Sequence, residues 1–398
     1  MKRKFIILLS IFSFIGIIFT GCKRNKNDYN SVEISMCGSY YGDYNLNPYT
    51  STKKLIAQQI LLNIAKEYKS ADDISNELSV NKIFIEDELM YLKKADLVKE
   101  YKGKFIAKGI IIGNEDKKTI KPFVHQIAEQ ISEIIIEELD SLKLAYNKCS
   151  FNEQGFTWEE MKSLFVYTQL LDLNLIDRGF LEHNIASGNP PIRKNLGEFF
   201  IHGIEGEPLE KYSVSHNICA IDSGGCAILF CNWNDKNLHP SKIRFSDDDL
   251  ILLISLYNRE KTERELIDEC NLNEEDVQGS LKKLVKLGII SDKCNILKTV
   301  IPVYYSQDCQ IMLKAFDNIS AKIINKTCKP NLNSIKKLFY DCGFGENKEQ
   351  YEAFEREIFV IIVNIATQIL IEGNEIPSPP TQAPWIVWGW TGNIIWDE

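Results

Sequence analysis

Residues 78–98 read Leu78-Ser79-Val80-Asn81-Lys82-Ile83-Phe84-Ile85-Glu86-Asp87-Glu88-Leu89-Met90-Tyr91-Leu92-Lys93-Lys94-Ala95-Asp96-Leu97-Val98. The apolar skeleton Leu78, Val80, Ile85, Leu89, Leu92, Ala95 and Leu97 has helical spacing and predicts a helix from about Lys82 to Ala95 after a turn at Ser79-Val80-Asn81. Upstream, Ala71 to Leu78 reads as a helix capped by Ser70, with Asp72 and Asp73 in its first turn. Before that, Ile56, Ile60 and Ile64, with Leu61 beside them, give an apolar face to a helix beginning near Thr52. Downstream, Val98 to Tyr101, a Lys102-Gly103 turn and Lys104 to Ile112 predict a hairpin. The same order recurs with helices Asp247 to Tyr257, Glu263 to Cys270 and Glu274 to Leu287, a turn at Asn271-Leu272-Asn273, and a hairpin from Gly288 through Asp292-Lys293 into Ile296 to Tyr304. Leu272 to Ile289 repeats the apolar spacing of Val80 to Leu97, so the unit is present twice.

Helix, helix, turn, helix and hairpin in this order resemble the winged helix-turn-helix family. The resemblance implies that the start of each third helix occupies the place where DNA-reading members meet the major groove. The matching positions are Asn81, Lys82, Ile83, Phe84, Glu86, Asp87 and Met90 in the first copy. In the second they are Asn273, Glu274, Glu275, Asp276, Gln278, Gly279 and Lys282. Carboxylates outnumber basic groups in both sets, which opposes phosphate contact and speaks against DNA as a partner. Lys102, Lys104 and Lys108 on the first wing, and Lys293 and Lys298 on the second, read as solvated faces. The candidate interaction surface therefore contains Asn81, Lys82, Glu86, Glu274 and Gln278, facing a protein of unknown identity. Residues 38–112 also resemble an accessory region that follows the sigma domains in some sigma-factor-like proteins of low-GC Gram-positive bacteria. The matching stretches are Tyr40-Tyr41-Gly42, Asn47-Pro48, Leu55 to Leu61, Ile74 to Leu78 and Phe84 to Glu88. No promoter-reading region accompanies them, so that resemblance does not imply initiation of transcription.

The chain opens with Met1-Lys2-Arg3-Lys4, then an uncharged apolar run from Phe5 to Gly21, then Cys22 followed by Lys23-Arg24. Phe19-Thr20-Gly21-Cys22 resembles the lipobox of bacterial lipoproteins. The resemblance implies cleavage before Cys22, lipid attachment there and a place on the extracytoplasmic face of the cell membrane. An uncleaved N-terminal anchor is the alternative. Two or more acyl chains give stable anchoring, because each buried methylene contributes about 0.8 kcal/mol.

The 398 residues are 44% hydrophobic and 25% charged, which excludes a disordered chain and a disulfide mini-scaffold. The net charge of -9 argues against nucleic acid unless a local basic patch overrides it. Five His, at His125, His183, His202, His216 and His239, share no ligand spacing, so neither a metal nor a cofactor is expected. Of eleven Cys, Cys22 is read as the lipid site, and the other ten, without a CxxC pair, are read mostly as small core hydrophobes, with a metal site or a disulfide framework as the alternative. That cysteine usage resembles an intracellular protein and stands in tension with export. No phosphate loop, nucleophile elbow or zinc-protease motif occurs, so no catalytic residue is assigned.

The expected fold class is mainly α with small β (α+β). The expected order is a signal peptide 1–21, a lipid-anchored tether 22–50 holding one short strand at Val32 to Met36, winged helix 1 at 51–116 and a helical linker 117–190. There follow a small antiparallel sheet at 191–245, winged helix 2 at 246–305, C-terminal helices 306–374 and a Pro/Trp-rich tail 375–398. Trp385, Trp388, Trp390 and Trp396 in that tail either pack back on the body or meet a partner or membrane interface. The leading expectation for function is a non-enzymatic, lipid-anchored binding or regulatory scaffold working through protein contacts. A membrane-anchored DNA-binding regulator facing the cytoplasm is the second, and an enzyme with a non-local site is the third. Oligomeric state is not legible in the sequence.

Overall fold

A computed structural model describes residues 31–183, 185, 190–211, 214–220, 227–233, 245–256, 259–345, 347–378 and 385–389. The chain is mainly helical with small sheets, an α+β fold. Cys22, the lipobox, Trp390 and Trp396 lie outside the described residues.

The first unit holds α1 (Leu55–Asn63), α2 (Ala71–Leu78) and α3 (Lys82–Lys94), with β2 (Lys69–Ser70), β3 (Val98–Tyr101) and β4 (Lys104–Ala107) forming a sheet in the order β2-β4-β3. Ser70 starts α2 with a capping box closed by Asp73, and Ser79 ends it at a left-handed φ of 54°. Ile74, Ile85, Leu89 and Leu92 are fully buried in one cluster with α1. The second unit is α6 (Asp247–Leu256), α7 (Glu263–Cys270) and α8 (Glu274–Lys286), with β10 (Ile290–Lys293) paired to β11 (Ile296–Thr299).

The two units correspond atom for atom in several places, always at the spacing that separates Thr262 from Ser70. Thr262 forms the same capping box with Glu265, and Asn271 takes the same left-handed turn at φ 52°. Lys69 reaches Glu77 at 2.6 Å, and Lys261 reaches Glu269 at 2.6 Å. Val277, Leu281 and Leu284 occupy the buried places of Ile85, Leu89 and Leu92.

The duplication extends beyond these units. Each hairpin is followed by a short strand, β5 (Ile110–Ile112) or β12 (Val303–Tyr304), and then by a long helix. The first is α4 (Asn114–Tyr146). The second is α9 (Ser306–Ile323), continued through π-helical turns at Ile324–Cys328 into α10 (Lys329–Asp341). Asp116 and Asp308 hold equivalent starts of these helices by accepting from the backbone N–H of Gly113 and Tyr305. Another helix follows in each half: α5 (Trp158–Ser163, continued as π-helical turns over Leu164–Gly179) and α11 (Lys348–Glu372). Each half also contains a sheet whose middle strand comes from its far end. β7 (Gly197–Glu205) pairs antiparallel with β1 (Val32–Tyr40) and parallel with β5. β13 (Trp385–Gly389) pairs antiparallel with β9 (Ala227–Trp233) and parallel with β12.

The halves exchange helices. α4 packs on α11, α9 packs on the π-helical part of α5, and α4 and α9 pack on each other. Ser132 donates to the Ala366 carbonyl at 3.2 Å, Asn174 donates to Asp317 at 2.8 Å, and Lys322 bridges Glu137 and Glu138 at 2.8 and 2.9 Å. One large apolar cluster, including Ile131, Phe165, Phe316 and Phe359, fills the space between them.

Three sequence expectations are corrected. The strand expected at Val32 to Met36 runs on to Tyr40 and belongs to the core rather than to a tether: Val32 and Ile34 are buried, and the outer edge is covered where Val32 and Met36 donate to Gln58 and Tyr49. The segment 104–112 is two strands, because the chain leaves β4 at Lys108-Gly109 to join β7. A Cβ on Gly109 would stand 2.4 Å from the Ile201 carbonyl oxygen, so only glycine permits that approach. The strands within 191–245 do not make one sheet. β6 (Ile192–Arg193) pairs with β7, whereas β8 (Val214–Ala220) pairs with β9 in the sheet ordered β12-β13-β9-β8. The Pro/Trp-rich tail supplies a strand of that second sheet, with Trp385 and Trp388 in β13.

Candidate functional site

α3 begins where the Asn81 side chain accepts the Ile83 N–H at 3.0 Å, so Asn81 is a helix cap. Burial of Ile85, Leu89 and Leu92 fixes the opposite face outward. There Ile83, Asp87, Met90 and Lys94 lie along one line of the helix, with Phe84 and Glu86 at its flanks. Ile83 is 65% exposed, Phe84 66% and Met90 49%. Large apolar side chains clustered in water on a helix face mark a contact surface. Phe84 and Asp87 also line a groove of about 490 Å³ with Lys54, Ile56, Val80 and Glu88.

The charges at this face are mostly satisfied within the unit. Lys82 is 2.8 Å from Asp72 and 3.7 Å from Glu86, and the hydrogen bond to Asp72 raises its ammonium pKa. Lys54 is bound by Glu88 at 2.8 Å, and Lys93 by Glu100 at 2.6 Å. At the β3–β4 hairpin, Lys108 is 2.7 Å from Asp96, while Lys102 sits 5.1 Å over the Tyr101 ring. Cations already held by carboxylates release few counterions on meeting a phosphate backbone.

The corresponding face of α8 is acidic where α3 is apolar. Asn273 caps it by accepting the Asp276 N–H at 2.9 Å, and Glu274, Glu275 and Asp276 fill its first turn. Gln278 donates to Glu263 at 2.9 Å and to Glu274 at 3.3 Å. Lys298 is 3.3 Å from Glu260. Asn81, Lys82 and Glu86 therefore share one face, and Glu274 and Gln278 share another on the second unit.

A buried polar cluster joins β7 to α11 and has no counterpart in the sequence reading. His202 Nδ1 lies 3.2 Å from Glu357 Oε2. Burial, then the nearby Glu210, pushes the Glu357 carboxyl up to about 8, while burial, then Arg356, pushes His202 down to about 3. Both groups are therefore neutral at pH 7, and the Glu357 hydroxyl is the donor that suits Nδ1. Asn364 donates to Glu210 at 3.3 Å and accepts from Tyr167, and burial raises the Glu210 pKa as well. Arg356, in the same turn, binds Asp177 on the π-helical segment. His202, Glu210 and Glu357 are all buried. The signal in the sequence was Glu355-Arg356-Glu357 inside an apolar helix.

The cluster carries a pH signature. A carboxyl whose pKa is higher in the folded state contributes stability that is lost as pH rises through the folded value. His202 acts oppositely: its contribution is present above its unfolded pKa and fades as pH falls toward about 3. Above about pH 6.5 the His202 contribution is constant, and the change that remains up to about pH 8 comes from Glu357 with Glu210 beside it. Stability is expected to fall there by up to about 1.4 kcal/mol per pH unit relative to Glu357→Gln. Urea midpoints of both proteins across that range check it, and parallel curves would refute it.

The thiols of Cys149, Cys309, Cys328 and Cys342 are pushed up to about 12 by burial and that of Cys37 to about 11, which favours the protonated form. Among the described residues no group of three or more His, Cys, Asp or Glu could hold a metal ion. Among the same residues no helix is long and apolar enough to cross a membrane. Compared with known family models, curated proteins and solved structures, the chain matches none.

Proposed function

We propose that the chain is a lipid-anchored, non-enzymatic scaffold on the extracytoplasmic face of the cell membrane, built from two degenerate winged helices that serve protein contacts. In this reading α1–α3 and α6–α8 are the helical parts, the β3–β4 and β10–β11 hairpins are the wings, and Cys22 carries the lipid. The observation that carries it is the face of α3. Where a DNA reader would offer free basic and amide groups, Ile83, Phe84 and Met90 stand in water, Asn81 is spent on a cap and Lys82 is held by Asp72. An acidic second recognition helix supports the same reading.

The test places a photo-cross-linking amino acid at position 84 of the full chain in cells, beside metabolic palmitate labelling of wild type and Cys22→Ala. A discrete protein adduct, and label lost only in Cys22→Ala, are expected. Adducts to nucleic acid alone would overturn the protein-contact reading, and equal labelling of both chains would overturn the anchor.

A further inference from the structure

We infer that the exposed face of α3 is a two-fold surface for a second copy of this chain, an inference that rests on the reading of α3 as a protein contact. The centre line of that face runs Ile83, Asp87, Met90, Lys94, with an acid before Met90 and a base after it. Asp87 and Lys94 have no ion-pair partner among the described residues, although most charges around them do. Two such helices crossing antiparallel beside Met90 bring Asp87 of each copy opposite Lys94 of the other. Two ion pairs then bracket the apolar contact between the Met90 side chains. A pattern that is complementary to itself under a two-fold rotation is what an isologous interface requires. In a parallel arrangement like charges would meet, which disfavours that alternative. The equivalent face of α8 lacks the pattern, because Gly279 stands where Asp87 would be and Gln278 where Glu86 would be.

One helix face is small for a stable soluble dimer. Two chains held in one bilayer meet at a raised effective concentration, so the contact suits an anchored protein. The test uses the full chain in phosphatidylcholine vesicles with a photo-cross-linking amino acid at position 90. An adduct of twice the chain mass is expected. Asp87→Lys or Lys94→Asp alone should each lower its yield about tenfold, and the two together should restore it to within about twofold. All three positions are exposed, and thermal melts of each variant confirm that it is folded. A yield indifferent to the single reversals, or not restored by the pair, overturns the second copy as occupant. So does an adduct in native membranes to a different protein only, which leaves α3 as a protein contact. The absence of any protein adduct in vesicles and native membranes overturns both readings.

Discussion

Produced as two separate chains, residues 1–211 and 212–398, the protein is expected to assemble when the pieces are made together and to fail when either is made alone. The reason is the exchange of helices. α4 and α5 belong to the first piece, but their apolar faces close on α11 and α9 of the second. Separated, each piece exposes side chains such as Ile131 and Phe165, or Phe316 and Phe359, that are essentially fully buried in the whole. Exposed apolar surface of that extent drives aggregation. Co-purification of an untagged piece with a tagged one, with a single cooperative melt, is the expected result. Two pieces that each melt cooperatively alone and do not bind would mean that the halves are independent.

Arg193→Ala is expected to destabilise the fold by about 2–3 kcal/mol, less than for a fully buried ion pair because Asp96 and Glu349 keep 32% and 25% exposure. The Arg193 side chain is 1% exposed. Its Nη1 donates to the Asp96 carboxylate at 3.0 Å and carbonyl at 2.8 Å, and its Nη2 to Glu349 at 2.5 Å. Its Nε donates to the Phe199 carbonyl at 3.0 Å, and the guanidinium lies 4.8 Å from the Phe199 ring. Asp96 follows α3, Phe199 lies in β7 and Glu349 starts α11, so one side chain ties three separate parts together. Arg193→Lys should recover only a fraction, since an ammonium cannot serve two carbonyls and two carboxylates in this fork. Urea unfolding checks both variants, and a loss below about 1 kcal/mol for Arg193→Ala would show that the neighbours rearrange to compensate.

Sequence reading recovers what is encoded locally. The α3 skeleton, the Ser70 and Thr262 caps and the recurrence of the unit follow from spacings of three and four residues, and the structure has α2, α3, α7 and α8 where those spacings put them. What it missed is non-local. β1 pairs with β7 across the whole of α1 to α5, and Tyr40 faces Gly197. His202 and Glu357 likewise belong to opposite halves of the chain. Beyond the hairpins the duplication keeps its element order but not its element lengths, so it became visible only through equivalent caps, turns and strand directions. At the candidate face the residues were legible and their pairing was not. Lys82 counts as a basic group in the sequence, while in space it belongs to Asp72.

The exchange of helices also sets an order of events during synthesis. The middle strand of the second sheet, β13, is the last described segment of the chain, and α11, which covers α4, comes shortly before it. The first half therefore waits for contacts of very high sequence separation, a topology of high contact order that folds slowly. Nearly the whole polypeptide must be made before its core can close. A chain of that kind reaches its native shape only after the last strand has been made.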